Sequence, residues 1–493
     1  MKIKLKIFAL FTVMMGLISC SDWIDLTPPQ GLVREEFWQS KEDVQAVLMT
    51  AYGEFRGLDG TLFKMGEMRA DMVQYDVNLG NDDRKIMDGN IYPDNWNSNW
   101  ESYYKVINYC NEVIANAEAV QEKDNTFTDY QLQSYLGEAH FIRSLTYFYL
   151  VRIFNDVPLV LEPSVSDETD FYIPKSSSAD VLAQIKSDLT QYRQFVTVDG
   201  YVSLAENKGR ATKAAFDALL ADIALWEFDY AAVIEHVSKI EASRKYRLLS
   251  EGEWFDLYYP GNSVESIFEL QFNSALQQNN SLYGLTETNS YNFDPSDQAL
   301  ELFAEDYSTR ENFETVRGEG ATIRKNAEDD YIIWKYVGRA PDGRTTRSSA
   351  DQRSANFIIY RYADVLLMKA EALSQLERYS EALVYINMIR DRAARPPISV
   401  ANSKIAFEDA ILHERSLELA YEGKRWFDLL RMGRRNDYAR KSQLIDFLVS
   451  NVPSTQKRIL ATKLTNPLGW YLPIHEDEIE RNLNLKQNPY YIF

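Results

Sequence analysis

The chain has 493 residues, of which 45% are apolar and 26% are charged, so it carries enough apolar material for a large buried core. Its net charge of −20 at pH 7 argues against nucleic acid as a partner, because proteins that bind a phosphate backbone need a basic surface. The same charge argues against electrostatic adhesion to anionic lipid headgroups, although it puts no penalty on a neutral ligand.

The N-terminus has the features of an export signal. Three lysines precede an apolar run over residues 7–18, which is too short for an ordinary membrane span. The run ends in Ser19-Cys20, and this ending resembles a bacterial lipobox, in which the chain is cleaved just before a cysteine that becomes acylated. We therefore expect residues 1–19 to be a lipoprotein signal peptide and Cys20 to carry a lipid anchor. A plain secretory signal is the alternative.

One further cysteine, Cys110, occurs in the chain. If Cys20 carries lipid, Cys110 has no partner within the chain, so no disulfide framework is expected despite export. Stability must then come from packing.

Helical periodicity dominates the rest of the chain. The blocks with apolar residues at three- and four-residue steps are 100–119, 130–154, 211–242, 360–394 and 403–432. The long stretches between them read as irregular, with short β-prone runs at 265–272 and 331–336; these stretches are 71–99, 250–295, 315–356 and 450–471. No Pro-, Ser- or Gly-rich linker separates the blocks, so we predict a single domain over residues 20–493.

Two helical blocks contain copies of one unit. In each, a helix rich in small residues leads through a short turn into a helix that begins with a tyrosine, Tyr230 in one copy and Tyr379 in the other. This pattern predicts tetratricopeptide-like hairpins, which bury one face on the next hairpin. Because the two clear copies lie far apart in sequence, we do not expect a continuous solenoid.

The segment 413–431 is so dense in charges that it raises the question of an active site. On a helical wheel Glu414 falls on an apolar face with Leu417 and Tyr421, which predicts that its carboxylate is buried. A buried carboxylate needs cationic partners, because bare burial is costly. We therefore predict a structural network of internal ion pairs and not a pair of catalytic carboxylates. Its predicted members are Arg361, Asp364, Glu371, Glu414, Arg415, Glu418 and Arg425.

These same segments closely resemble the SusD/RagB family. The resemblance is carried best by residues 361–372 (RYADVLLMKAEA), 386–393 (INMIRDRA) and 414–428 (ERSLELAYEGKRWFD), and it continues through residues 100–111, 138–158, 209–215 and 473–489 in order. Two departures are visible. Asn155 stands where the family usually has Gly, and His475 replaces a usual Pro, which puts only local turns in doubt.

The resemblance implies a mostly α, SusD-like fold with tetratricopeptide-like hairpins and a loop-rich ligand-binding face with short β-strands. It divides the single domain into an N-terminal SusD-like part, about 20–240, and a C-terminal SusD/RagB part, about 250–493. It also implies an outer-membrane lipoprotein, facing the cell exterior, that captures a glycan and delivers it to a SusC-like TonB-dependent barrel for import. Because family members sometimes take peptides or glycopeptides, these ligands stay open.

Binding a sugar requires aromatic rings for its flat C–H faces and polar side chains for its hydroxyls. The long loops supply both kinds of side chain, although each ring could instead pin its loop to the body. The candidates are Tyr75, Asp76, Arg84, Tyr92, Trp96, Gln277, Asn279, Tyr283 and Tyr291.

Two other functions are considered. A glycoside hydrolase would need catalytic groups, but no nucleophile elbow and no HExxH motif occurs, and the four histidines are scattered. A helical-repeat scaffold that binds only proteins would show no affinity for glycans. We therefore expect a binding protein that is not an enzyme, with no catalytic residue, no metal site and no cofactor.

Overall fold

The computed structural model describes residues 37–75, 79–164, 171–286, 293–307, 317, 321–326, 329–340, 345–450, 452 and 454–492. The predicted signal peptide, residues 1–19, and the predicted lipid-bearing Cys20 lie outside these residues. The described part is mainly helical, which confirms the predicted fold class.

The helices fall between Lys41 and Arg481. In chain order they are α1 (Lys41–Arg56), α2 (Asp59–Glu67), α3 (Asn81–Met87), α4 (Glu101–Lys123), α5 (Asp129–Phe154), α6 (Ser178–Tyr192), α7 (Leu204–Gly209), α8 (Lys213–Trp226), α9 (Tyr230–Ser243), α10 (Leu282–Thr286), α11 (Asp297–Tyr307), α12 (Ser349–Arg353), α13 (Tyr362–Gln375), α14 (Tyr379–Arg392), α15 (Lys404–Glu418), α16 (Arg425–Tyr438), α17 (Lys441–Ser450), α18 (Ser454–Leu464) and α19 (Glu476–Arg481).

The strands are short and form antiparallel pairs. In chain order they are β1 (Val73–Tyr75), β2 (Val157–Pro158), β3 (Lys175–Ser176), β4 (Ser266–Leu270), β5 (Phe293–Pro295), β6 (Ile323–Lys325), β7 (Tyr331–Ile333) and β8 (Phe357–Arg361). Within the described part of the chain, β1 pairs with β5, β2 with β3, β4 with β8, and β6 with β7. The β-prone runs at 265–272 and 331–336 contain β4 and β7.

Helices α1, α4, α5 and α6 pack side by side at the N-terminal end. Helix α4 buries one stripe, which includes Val106, Cys110 and Val113. Helix α5 is buried on all sides from Leu136 onward, since it lies between α4 and α6. Cys110 is a free, buried cysteine, so it behaves as a small apolar side chain in this core.

Helices α8 and α9 form one hairpin, and α13 and α14 form the other, as the repeated sequence pattern predicts. Although the two hairpins are far apart in sequence, α9 packs directly against α13. Lys369 on α13 donates a 2.9 Å hydrogen bond to the Ser238 hydroxyl, and Tyr385 on α14 donates one of 3.0 Å to Glu241. The hairpins are therefore neighbours in space, which their separation along the chain did not suggest.

The prediction that 450–471 is irregular is wrong over α18, which spans Ser454–Leu464. Few apolar residues mark this helix, and the buried ones, Leu460 and Leu464, are a single i, i+4 pair. The other long stretches also contain short elements, such as α3 within 71–99, because capping and tertiary contacts override weak local patterns.

The two departures from the family pattern are both accommodated. Asn155 has φ 69° and ψ −88°, and asparagine occurs at positive φ more often than most other non-glycine residues. His475 lies just before α19, where its Nδ1 accepts a 3.2 Å hydrogen bond from the backbone N–H of Asp477. His475 therefore caps the helix that follows.

Candidate functional site

A cleft of about 470 Å³ lies where the segment around β1 meets the C-terminal helices. Residues 68–75 and 86–92 form one side, and Trp426, α17, α18 and residues 490–491 close the other. We call it the tyrosine cleft, because Tyr75, Tyr92, Tyr490 and Tyr491 all line it. Its volume lies in the range of ordinary ligand pockets.

Two of the predicted ligand residues, Tyr75 and Tyr92, line the tyrosine cleft. The Tyr75 hydroxyl donates a 3.0 Å hydrogen bond to Asp88, and the Arg84 guanidinium lies 5.5 Å from the centre of the Tyr75 ring. Partial burial and the bond to Asp88 raise the pKa of Tyr75, so its hydroxyl stays protonated. Tyr92 is 47% exposed, which leaves much of its ring accessible to a ligand.

Two cations also line the cleft. The Arg69 guanidinium donates to the backbone carbonyls of Gly469, at 2.7 Å, and Trp470, and it lies 4.4 Å from the centre of the Trp426 ring. The Lys463 ammonium donates to the Gly89 carbonyl at 2.9 Å and to the Asn90 side-chain oxygen at 2.6 Å. Neither residue was predicted as part of a site.

Trp96 is 64% exposed, more than any other predicted ring among the described residues. Its ring meets the buried His475 ring edge to face, with centroids 5.3 Å apart. Hydrogen bonds of the Asn95 side chain hold the turn that carries Trp96. This side chain accepts from the Asn97 backbone N–H at 3.0 Å and donates to the Asp82 carbonyl at 2.9 Å. Trp96 is thus an exposed ring on a supported turn, beside the cleft-lining segment but not in its lining.

The other group of predicted ligand residues lies in the stretch 250–295. Gln277 and Asn279 are exposed, and Tyr283 is half-buried. The exposed Arg353 guanidinium lies 4.8 Å from the centre of the Tyr283 ring. Asn280 anchors the loop by donating hydrogen bonds to the backbone carbonyls of Gln352, at 2.8 Å, and Ala355, at 2.9 Å.

The pairing of β1 with β5 brings the two predicted loops to the same region, since Tyr75 lies opposite Phe293 in the ladder. Residue contacts between α10, which carries Tyr283, and β5 reinforce this approach. Asp76 and Tyr291, the remaining predicted ligand residues, lie outside the described residues.

The charges predicted to form an internal network are all buried. Arg361 is the centre of one cluster: its Nη1 contacts Glu265 and Glu418 at 2.7 Å each, and its Nη2 contacts Glu422 at 2.9 Å. Burial alone would raise the pKa of Glu418, but the surrounding arginines, including Arg392 and Arg361, hold it well below its usual range.

A second cluster joins α13 to α15 and α16. Asp364 contacts Arg415 at 3.0 Å and Lys424 at 2.8 Å. Glu371 contacts Arg431 at 2.7 Å and also Arg435. Because each of these acids faces at least two cations in the interior, the clusters hold helices together and offer no free carboxylate for acid–base chemistry.

Glu414 lies beside the first cluster, where it contacts Arg317 and, at 3.1 Å, Arg390. Arg425 pairs with Asp71, which precedes β1. Sequence reasoning did not identify Asp71, Glu265 or Glu422 as partners, because nothing in the local pattern points to contacts across 61 to 354 residues.

Among the described residues, no group of three or more His, Cys, Asp and Glu side chains is arranged to hold a metal ion. In the same part of the chain, every helix is too short or too polar to cross a membrane.

Two family models match the chain. The model described as "SusD family" matches residues 264–491, and the one described as "Starch-binding associating with outer membrane" matches residues 22–225. Together they span most of the chain.

Curated relatives and solved structures agree with these models. The chain is 26% identical to SusD-like protein P38 of Formosa agariphila over 87% of this chain and 92% of that protein. It superimposes on a SusD superfamily protein from Bacteroides vulgatus with a TM-score of 0.76 and 22% identity, covering 92% of this chain and all of the other. A structure described as a laminarin binding SusD-like protein gives a TM-score of 0.70 at 20% identity, over 92% and 99% of the two chains.

Proposed function

Since the chain belongs to the SusD family, we propose that it is a glycan-binding lipoprotein of the outer membrane. In this proposal it captures an oligo- or polysaccharide at the cell surface and passes it to a SusC-like TonB-dependent barrel for import. Cys20 provides the lipid anchor, and no bond of the glycan is broken.

The observation that carries this proposal is the tyrosine cleft and the exposed ring beside it. Rings such as Tyr92 and Trp96 offer flat surfaces for the C–H faces of sugars, while Asn90 and Gln74 offer amide groups to hydroxyls. Two of these side chains are held before any ligand arrives, since Asn90 accepts a hydrogen bond from Lys463 and the Trp96 ring packs against His475. This preorganisation lowers the entropy cost of binding.

A binding role also fits the distribution of carboxylates. Hydrolysis of a glycosidic bond needs two carboxyl groups facing the substrate, whereas the densest acidic clusters, around Arg361 and Arg415, are buried and neutralised. Asp88 is the one acidic side chain that the described residues contribute to the cleft lining.

The test is isothermal titration calorimetry of the purified protein against neutral and anionic polysaccharides. Laminarin and starch belong in this panel, because a structural neighbour is described as laminarin binding and one family model as starch binding. Saturable binding without release of shorter oligosaccharides supports the proposal. Turnover of any polysaccharide would replace it with a hydrolase, and saturable binding of peptides alone would replace the glycan with a peptide ligand.

The transport partner is tested separately. When the tagged protein is extracted from its own membranes with mild detergent, we expect a TonB-dependent barrel to co-purify in defined stoichiometry. Substituting Cys20→Ala should release the protein from the membrane fraction. A membrane-bound Cys20→Ala protein would contradict the lipid anchor.

A further inference from the structure

Arg69 and Lys463 converge on the tyrosine cleft from segments at opposite ends of the chain. Arg69 follows α2, whereas Lys463 lies in the last turn of α18. Among the described residues, both cations donate to neutral oxygen acceptors only: Arg69 to the backbone carbonyls of Gly469 and Trp470, and Lys463 to the backbone carbonyl of Gly89 and the side-chain oxygen of Asn90. In the described part of the chain, neither forms an ion pair with a carboxylate within 4.0 Å.

This arrangement is unusual for the protein. Acidic residues outnumber basic ones, 73 to 53, so carboxylate partners are plentiful. The buried arginines Arg361, Arg425 and Arg431 each face one or more carboxylates. In the cleft, the one acidic lining residue of the described chain, Asp88, is engaged by the Tyr75 hydroxyl.

Desolvation makes these two cations sensitive to a nearby negative charge. Partial burial lowers the pKa of Lys463, and burial likewise lowers that of Arg69 from its ordinary value; no carboxylate in the described part of the chain reverses either shift. An anion that enters the cleft would restore to these cations the electrostatic stabilisation that they lost on burial. Its hydrogen bonds to the charged donors would also be stronger than those of a neutral hydroxyl.

We propose that the tyrosine cleft selects an acidic glycan, whose carboxylate or sulfate groups lie against Arg69 and Lys463 while its sugar rings lie against the tyrosines. This inference rests on the proposed function as a glycan-binding protein and adds the chemical class of the glycan. Neutral glycans, whose hydroxyls would meet a donor-rich surface with few carboxylate acceptors, bind more weakly.

The net charge of −20 opposes the approach of an anionic polymer, but it acts over a limited distance. At physiological ionic strength the Debye length is about 8 Å, so the repulsion from remote acids is largely screened. Contacts with partly buried cations are screened much less. The short-range attraction therefore wins once the ligand is in the cleft, and the repulsion mainly slows association at low salt.

The experiment compares pairs of ligands that differ only in charge. Calorimetry is run with polygalacturonate oligomers and their methyl esters, and with carrageenan oligomers and their desulfated forms, beside laminarin and starch. The protein variants are Lys463→Gln, which keeps a hydrogen-bond donor but loses the charge, and Lys463→Arg, which keeps the charge. Lys457→Gln is the matched control, because Lys457 lies on the same helix and donates to the Ser450 carbonyl away from the cleft lining.

We expect an acidic oligomer to bind and its uncharged counterpart to bind at least tenfold more weakly, with the uronate and sulfate arms showing which group is preferred. Lys463→Gln should weaken that binding about tenfold, the loss expected for one charged hydrogen bond. Lys457→Gln should leave it nearly unchanged, and Lys463→Arg, which keeps the charge, should bind more tightly than Lys463→Gln, with equal melting temperatures for all variants.

Other results overturn the inference. If only neutral glycans bind, or if an acidic glycan binds equally well to Lys463→Gln, the cleft does not select for charge, although the proposed function stands. If no glycan of either kind binds, the proposed function fails together with the inference.

Discussion

Asp71 and Arg425 are joined by two parallel hydrogen bonds of 2.7 Å each, although 354 residues separate them along the chain. Asp71 lies two residues before β1, whose Val73 and Tyr75 line the tyrosine cleft. Arg425 begins α16 and belongs to the charged interior. The buried charges therefore position one wall of the candidate site without contributing to its lining.

Breaking this pair should destabilise the protein. Asp71→Asn or Arg425→Met leaves the remaining partner buried with its charge uncompensated, so each should lower the free energy of unfolding by about 3–5 kcal/mol. Urea titration followed by tryptophan fluorescence measures the change. In the double variant the two losses should not add, because each one removes the same contact. Fully additive losses would mean that the pair is not coupled.

Glu414→Gln should also lower stability, and it should leave ligand affinity unchanged in the folded protein. The substitution removes the negative charge that faces Arg317 and Arg390 in the interior, which we expect to cost about 3 kcal/mol. Glu381→Gln is the control: Glu381 pairs with Arg378 in an exposed position, so its loss should leave the free energy of unfolding nearly unchanged. A Glu414→Gln protein as stable as the wild type would contradict a structural role for the buried charge.

Glu67 gives the stability a distinctive pH dependence. Its carboxyl accepts from the backbone N–H groups of Gly423 at 2.8 Å and Lys424 at 3.2 Å, yet complete burial raises its pKa from 4.5 to about 8. Between these values the unfolded chain releases a proton that the folded chain keeps. The stabilisation of the folded protein that comes from the raised pKa of Glu67 is therefore fully present below pH 4.5, and it declines as the pH rises to about 8.

The variant Glu67→Gln has no proton to release, so the wild type should lose melting temperature relative to this variant as the pH rises from 5 to 8. Above about pH 8 the difference should level off, since Glu67 is then ionised in both states. Calorimetric scans at several pH values measure this difference, in which contributions from other titrating groups cancel. If the melting temperatures of the two proteins instead differ by the same amount at every pH, Glu67 is ionised in the folded protein at neutral pH.

The sequence predicts those parts of the fold that are encoded in short-range patterns. The hairpins that begin at Tyr230 and Tyr379 repeat an apolar stripe that is visible without structural information, and the family motifs add the class of fold. The contact of α9 with α13 could not be predicted in this way, because the Lys369–Glu241 pair spans two distant segments. Helix α18 was missed since it has too few apolar residues for its period to be recognised.

The candidate site could likewise be predicted from the sequence only in part. Tyr75 and Tyr92 could be proposed from their place in a long polar and aromatic loop, and both line the cleft. Arg69 and Lys463 carried no such signal. Arg69 lies near a helix end and Lys463 in a stretch predicted to be irregular, so their shared position depends entirely on the tertiary fold. A cation without a carboxylate partner is recognisable only once all nearby side chains are placed.

Trp96→Ala should weaken glycan binding and leave the melting temperature unchanged. Most of the Trp96 ring is exposed, so its removal costs little buried area, while a sugar stacked on it would lose an aromatic surface worth about 1 kcal/mol or more. Tyr130→Ala is a matched control, because Tyr130 is 66% exposed and lies apart from the tyrosine cleft, near Tyr201 and Arg210. Calorimetry should show at least a fivefold loss of affinity for Trp96→Ala and none for Tyr130→Ala. Equal affinities would remove Trp96 from the site and leave the cleft itself as the binding surface.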